Sequence, residues 1–446
     1  MSLYSKETLM SGSPFEYCIQ KIEQRFSELP DKRVGKNCFI KMKDIGLSAF
    51  SVFFMQCSSF LEHQRAMQNR EGHNNANSLF KIDHIPSDNH IRDILDGVPP
   101  SEIFPVFTTL LNVLSDSGAL DQFRHVSNQL LLPLDGLHYF SSKHISCEQC
   151  SQQQHKNGEI TYSHSMMTAT LVHPDRSEVL PLIPMFIAPQ DGHEKQDCER
   201  EACKRWLRGI GPQYASLGVT LLGDDLYCCE PICELAQEQG FHFIFTCKPE
   251  SHKCLYEWVD SLGKSNHIDT YQRIIGTLRG KQEWHCRYVN QVPLKDGKDA
   301  LMVNWCEVEV LNAQGKRIYY NAFATNHTLE DSNIIDVIKA GRCRWKTENE
   351  HNNTLKNHGY HLEHNYGHGK NLAAVIATLI LLAFLLHTIL QLLDKNYSAV
   401  RDYFPRESFF HQLRTLVMYL YFTSWTLLME MMQNACRSPP RKHKRK

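Results

Sequence analysis

Leu130-Leu131-Leu132-Pro133-Leu134-Asp135-Gly136-Leu137-His138-Tyr139 is the stretch from which the fold of this chain is read. A short apolar run bounded by Gly and polar residues has the texture of a buried strand, which puts Asp135 at the strand's end. A carboxylate there is either a turn residue, since Asp before Gly is common turn chemistry, or a metal ligand. Two later carboxylates in comparable settings weigh toward the second reading. Asp224 follows the run Gly218-Val219-Thr220-Leu221-Leu222-Gly223, and Glu348 stands in Arg344-Trp345-Lys346-Thr347-Glu348-Asn349-Glu350.

Working outward from Asp135, residues 161–172 and 179–187 are rich in β-formers and separated by Pro174-Asp175-Arg176-Ser177, which predicts hairpin-linked antiparallel strands. A polar amphipathic helix over 196–207, a strand over 218–223, a helix over 231–239 closed by Gly240 and a strand over 241–246 follow. The order β-β-β-α-β-α-β predicts an α/β core with a mixed sheet, its first and fourth strands adjacent, so that Asp135 and Asp224 meet at one sheet end. Strand-like pieces at 271–278, 283–289, 300–311 and 317–324 predict an inserted β-rich domain, and helices resume at Leu329 and run through 344–356 to 409–432. Upstream, Ile45, Leu47, Phe50, Phe53, Phe54, Cys57, Phe60 and Leu61 recur at helical spacing before a polar break at 69–77, and Ser87 or Asp88 caps a further helix. The division is therefore a helical N-terminal domain over 1–125 with DNA binding as one role, a first part of the core over 126–251, a β-rich insertion over 252–335, helices carrying Glu348 over 336–395, and a C-terminal helix with a basic tail over 396–446.

A length of 446 residues accommodates two or three domains, each with its own core. The formal charge of -1 announces no nucleic-acid partner in bulk, so any cationic face is local. The tail residues Arg437, Arg441, Lys442, Lys444, Arg445 and Lys446 are either a solvated end or a phosphate contact. Sixteen Cys follow a start that lacks the apolar core of a signal peptide, which predicts reduced thiols in a cytoplasm. The apolar segment 372–393 is long enough to cross a bilayer or to form a fully buried helix. Burial is the better expectation, with no membrane partner, because no other such segment exists and His387 and Gln391 interrupt this one.

Three clustered carboxylates repel one another unless protonated or bound to hard cations. Oxygen ligands suit Mg²⁺ or Mn²⁺, and two such ions about 4 Å apart activate a nucleophile and stabilise the leaving oxygen of an in-line phosphoryl displacement. With Asp-Gly after the first strand, Asp224-Asp225-Leu226-Tyr227 after the fourth, a β-rich insertion and then Arg-Trp-x-x-Glu, the stretch from about 130 to 390 resembles the DDE transposases of bacterial insertion sequences. The resemblance implies a ribonuclease-H-like mixed sheet and a metal-binding triad of Asp135, Asp224 and Glu348, with Asp225 and Glu350 as the alternatives at the second and third positions. It implies DNA cleavage and strand transfer at element ends, with terminal inverted repeats and target DNA as partners, a homodimer, and a bacterial, nucleoid-associated location. A nuclease without joining activity and a non-catalytic DNA-binding protein are the alternatives. Arg344 and Lys356 are the candidate DNA contacts, although the family's Tyr before the Arg is here Gly341 and its Lys after the Glu is here Leu355, with Lys356 one residue late. Trp345 either packs in the core, the favoured expectation, or stacks on a base.

A second cluster, His144, Cys147, Cys150 and His155, has the ligand types and local spacing of a structural zinc knuckle. A Cys-x2-Cys also arises by chance among sixteen Cys, so unliganded thiols remain the competing reading. His351, His358, His361, His364 and His368 are read as a polar, DNA-facing or solvated segment beside Glu348.

Overall fold

A computed structural model describes residues 13–35, 38–189, 197–277 and 280–437; the tail residues Arg441, Lys442, Lys444, Arg445 and Lys446 lie outside them. The strands are β1 (Leu130–Ser142), β2 (Ser151–Gln154), β3 (Ile160–Leu171), β4 (Leu180–Pro181), β5 (Met185–Ile187), β6 (Val219–Gly223), β7 (His242–Thr246), β8 (Asp269–Thr277), β9 (Gly280–Pro293), β10 (Met302–Leu311) and β11 (Arg317–Thr325). They form one mixed sheet in the order β2-β3-β1-β6-β7-β11-β10-β9-β8, with β4 and β5 also paired to β3.

Strand β1 does not end at Asp135. Its apolar half, Leu130 to Leu134, is buried throughout, as suits a strand with neighbours on both sides and cover on both faces. Beyond Asp135 the pattern alternates, with Leu137 and Tyr139 buried and His138 exposed, so the strand continues with one face in the core. The parallel ladder with β6 stops at Pro133 opposite Leu222, whereas the antiparallel ladder with β3 runs on to Ser142. Asp135 therefore sits in mid-strand, at the point where β1 parts from β6.

The β-rich stretch forms no sheet of its own. Strand β11 pairs antiparallel with β7 from Phe323 opposite Thr246 to Thr325 opposite Ile244, so the meander β8–β11 prolongs the central sheet.

The helices are α1 (Pro14–Ser27), α2 (Met42–Phe54), α3 (Phe60–Gln68), α4 (Arg70–Phe80), α5 (Asp88–Leu95), α6 (Phe104–Asp116), α7 (Glu199–Gly209), α8 (Pro212–Ala215), α9 (Glu230–Glu238), α10 (Lys253–Lys264), α11 (Ile334–Arg342), α12 (Asn353–Asn357), α13 (Leu372–Leu393), α14 (Lys395–Tyr403), α15 (Arg406–Tyr419) and α16 (Trp425–Arg437). The expected break at 69–77 is instead helix α4, bent away from α3 at Asn69, whose backbone is extended. Its polar residues are spent on the C-terminal helices: Asn75 Nδ2 donates to the carbonyls of Val417 and Leu420 at 2.7 Å each. Ser87 caps α5, accepting from the His90 amide.

Helix α13 is the axis of the helical layer, packed against α1, α2, α5, α6, α14 and β4. In its most apolar window, 89% of the residues are buried inside the protein. Its polar side chains find partners there, His387 Nδ1 with the Tyr360 hydroxyl at 2.6 Å and Thr388 with the Val179 carbonyl at 3.1 Å.

Candidate active site

The parallel pairing of β1 and β6 puts Pro133 opposite Leu222, and carrying that register two residues on brings Asp135 beside Asp224. Strand β6 ends at Gly223, and Asp224 Oδ1 accepts the Leu226 amide at 2.9 Å in an Asx turn. Its neighbour Asp225 is engaged elsewhere. Asp225 accepts the Lys248 amide at 2.7 Å and lies 3.2 Å from His252 Nε2, fastening the loop that follows β7.

Helix α11 delivers the third element. Gly341, at the position where the resembled family carries Tyr, packs so closely that a Cβ would lie 2.7 Å from the Phe323 ring and 2.9 Å from Ile244. The helix expected over 344–356 is present but not regular: after α11 ends at Arg342, helical backbone runs from Trp345 to Asn357, with Thr347–Asn352 in a π-helical turn. Single π turns of this kind recur at functional sites. From it Asn352 Nδ2 donates to Asp135 Oδ2 at 3.0 Å. Arg344 spans the two carboxylates, Nη2 at 2.8 Å from Glu348 Oε1 and Nη1 at 3.6 Å from Asp135 Oδ1. Glu350 faces away, into a separate cavity of about 500 Å³ that Arg401 and Arg406 also line.

A fourth carboxylate joins them. Glu199 opens helix α7, and the Tyr227 hydroxyl donates to its Oε1 at 2.6 Å. Its other oxygen lies where a Cβ on Gly136 would be, 2.1 Å away, so the glycine of the Asp-Gly pair makes room for it. Burial pushes the Asp135 carboxyl up to about 7; Arg344 pulls the other way, and Glu348, Glu199 and Asp224 add to the rise. Arg344 thus bridges Asp135 and Glu348, while Glu199 and Asp224 act on Asp135 electrostatically. That oxygen donor set suits a hard divalent cation. Sequence reasoning missed Glu199 and Asn352. Only Gly136, the mark of a close approach, hinted at the former.

A cleft of about 550 Å³ opens beside Asp224, lined by Lys248, Arg342, Arg344, Tyr319, Tyr320 and Trp345. Trp345, expected in the core, is 42% exposed here, and the Arg342 guanidinium lies 4.3 Å from the centre of the Tyr319 ring. Cations alternating with aromatic faces suit a polyanion with stacked bases. Lys356 is turned to Glu363, 2.7 Å away, and Leu355 is buried.

The expected His144/His155 ligand set does not form. Cys147 and Cys150 gather instead with His164 of β3 and His368 of the segment before α13, their ligand atoms all within 4.8 Å of one another. His155 Nε2 is paired with Thr161 Oγ1 at 2.8 Å, and His144 lies in the exposed turn after β1. His368 was read as part of a solvated histidine group, as was His351, which is fully buried and stacked on Phe384. Among the described residues, Cys228, Cys247 and His252 make a second, three-membered group.

No family model and no curated protein matches the chain. Among solved structures it is similar to one described as "Cryo-EM structure of piggyBac transposase synaptic complex with hairpin DNA (SNHP)", with a TM-score of 0.43 and 11% identity, over 96% of this chain and 83% of that one.

Proposed function

We propose that the chain is a DDE-type DNA transposase, cleaving DNA at the ends of its element and joining the freed ends to a target. The observation that carries this reading is the convergence of Asp135, Asp224, Glu348 and Glu199 at the edge of a cleft lined by Lys248, Arg342, Arg344 and exposed aromatic rings. The order β5-β3-β1-β6-β7, with β1, β6 and β7 parallel and β3 antiparallel to β1 and β5, supports a ribonuclease-H-like core.

Asp135, Asp224 and Glu348 would hold Mg²⁺ or Mn²⁺, which supplies an activated water or DNA 3′-hydroxyl and charge neutralisation at the phosphorus. The chain's own residues prepare that chemistry. Asn352 orients the Asp135 carboxylate through its donated hydrogen bond. Arg344 balances the Asp135 and Glu348 carboxylates, and its place on the cleft wall would let its guanidinium pair with a DNA phosphate. Lys248 and Arg342 fix the backbone, and Trp345 offers a face for a splayed base. Two element ends must be held together for joining, so a homodimer on terminal inverted repeats is the expected assembly.

The test is cleavage and strand transfer on labelled DNA carrying the element's own termini, in Mg²⁺ and in Mn²⁺. Asp135→Asn, Asp224→Asn and Glu348→Gln each lower both activities by at least a hundredfold while gel-shift binding persists. Activity retained in all three variants would overturn the mechanism. Cleavage without joining in the parent chain would instead point to a nuclease.

A further inference from the structure

Cys147, Cys150, His164 and His368 come from three separate parts of the chain. Cys147 and Cys150 belong to the turn after β1, His164 to β3, and His368 to the segment leading from the Glu348 turn into α13. The two sulfurs are 3.7 Å apart, each sulfur is 3.4 Å from His164 Nε2, and His164 Nε2 is 3.4 Å from His368 Nδ1. A disulfide would hold its sulfurs at about 2.05 Å, so this is a pair of separate thiols. Zinc with Zn–S bonds of about 2.3 Å and Zn–N bonds of about 2.0–2.1 Å, at tetrahedral angles, sets its ligand atoms about 3.8 Å apart for two sulfurs, about 3.5 Å for sulfur and nitrogen, and about 3.4 Å for two nitrogens. The four observed spacings match those edges.

The surroundings hold the donors in place. The Cys147 amide donates to Cys150 Sγ at 3.4 Å and the Cys150 amide to the Cys147 carbonyl at 3.1 Å, which folds the Cys-x2-Cys turn around its own sulfurs. Tyr139 stacks on the His164 ring at 5.7 Å, and Phe140 meets His368 edge to face at 4.2 Å.

We infer that these four residues bind one structural zinc ion, and that the ion clamps the β1–β3 hairpin carrying Asp135 to the segment that follows Glu348. Two thiolates and two imidazoles in a closed tetrahedron select zinc over the hard cations that suit the carboxylates. His164 and His368 are 204 residues apart, so the ion closes a long loop of chain. Closing such a loop restrains the unfolded chain most. It also fixes the relative position of the two strands of chain from which Asp135 and Glu348 project.

The test uses the full chain without DNA, so its outcome is separate from that of the cleavage assay. Metal analysis of the purified protein is expected to give one zinc per chain in this site. Replacement by cobalt(II) is expected to give the absorption of a tetrahedral centre with a sulfur-to-cobalt charge-transfer band, which a carboxylate site has no sulfur to produce. Cys147→Ser and His368→Ala remove the band, whereas His144→Ala, His155→Ala and Cys228→Ser keep it. Should the first two variants fail to fold, the parent chain decides: a strong chelator exposes two additional thiols to a thiol reagent and lowers the melting temperature, and zinc reverses both. A chain with no zinc and no charge-transfer band overturns the inference, as does a band lost in Cys228→Ser but retained in Cys147→Ser.

Discussion

Asp135 concentrates the site's electrostatics in one titration. Its carboxyl is raised to about 7 by burial and by three neighbouring carboxyl groups, against an unfolded value of about 3.9. Between those two values the folded chain binds more protons than the unfolded one, so without divalent metal its stability is greatest below about pH 4 as far as this group is concerned and declines as pH rises through 7. Melting temperatures from pH 4 to 8 in a chelator should show that descent, and Asp135→Asn should flatten it. Cation binding needs the ionised carboxylate, so Mg²⁺ should raise the melting temperature more at pH 8 than at pH 5. Asp135 and Asp224 were legible because each follows an apolar run that has to be a buried strand. Cys147 and Cys150 were legible because their spacing is local. The gathering of His164 and His368 with them was not, since residues on a distant strand and a distant segment carry no mark of each other, and the nearer His144 and His155 offered a competing local match.

At the level of elements, the packing of α11 on β7 and β11 decides where Arg344 and Glu348 point. Gly341→Ala gains helix propensity of about 1 kcal/mol but drives a methyl into Phe323 and Ile244, a clash of the kind that costs about 1–3 kcal/mol. The neighbours are a buried ring and a core side chain, so the clash should win. The expected result is a net loss of up to about 2 kcal/mol in urea unfolding, together with weaker cleavage as the Glu348 turn is displaced. A net gain in stability would show that α11 can shift freely over the sheet. The element types in the α/β core followed from periodicity, but three features did not. The π turn at Thr347–Asn352 has no periodic signature distinct from a helix, α4 is held by Asn75 bonding to Val417, Leu420 and Phe422 far along the chain, and β1 runs past Asp135 because β3 continues to pair with it.

On the scale of the whole molecule, α13 joins what the sequence divides. Helices from the N-terminal region, strand β4 and helix α14 all pack on it, and His387 Nδ1 and the Thr388 hydroxyl bond to Tyr360 and Val179. Length and hydropathy alone left a bilayer span and a core helix open; the burial of 89% of its most apolar window against other elements of the protein favours the core helix. The same non-locality hid the union of β11 with β7, a pairing of strands that no local pattern specifies. Leu382, fully buried on α13, tests the axial role. Leu382→Ala should cost about 2–5 kcal/mol, and because the helix is shared, faster amide exchange should appear together in α2 and in β4 rather than in one of them. The variant and its parent should both be extracted without detergent. Exchange that rises only along α13 itself would mean that the N-terminal helices and the sheet are stabilised independently of it, and that the helix fills space between two units without coupling them.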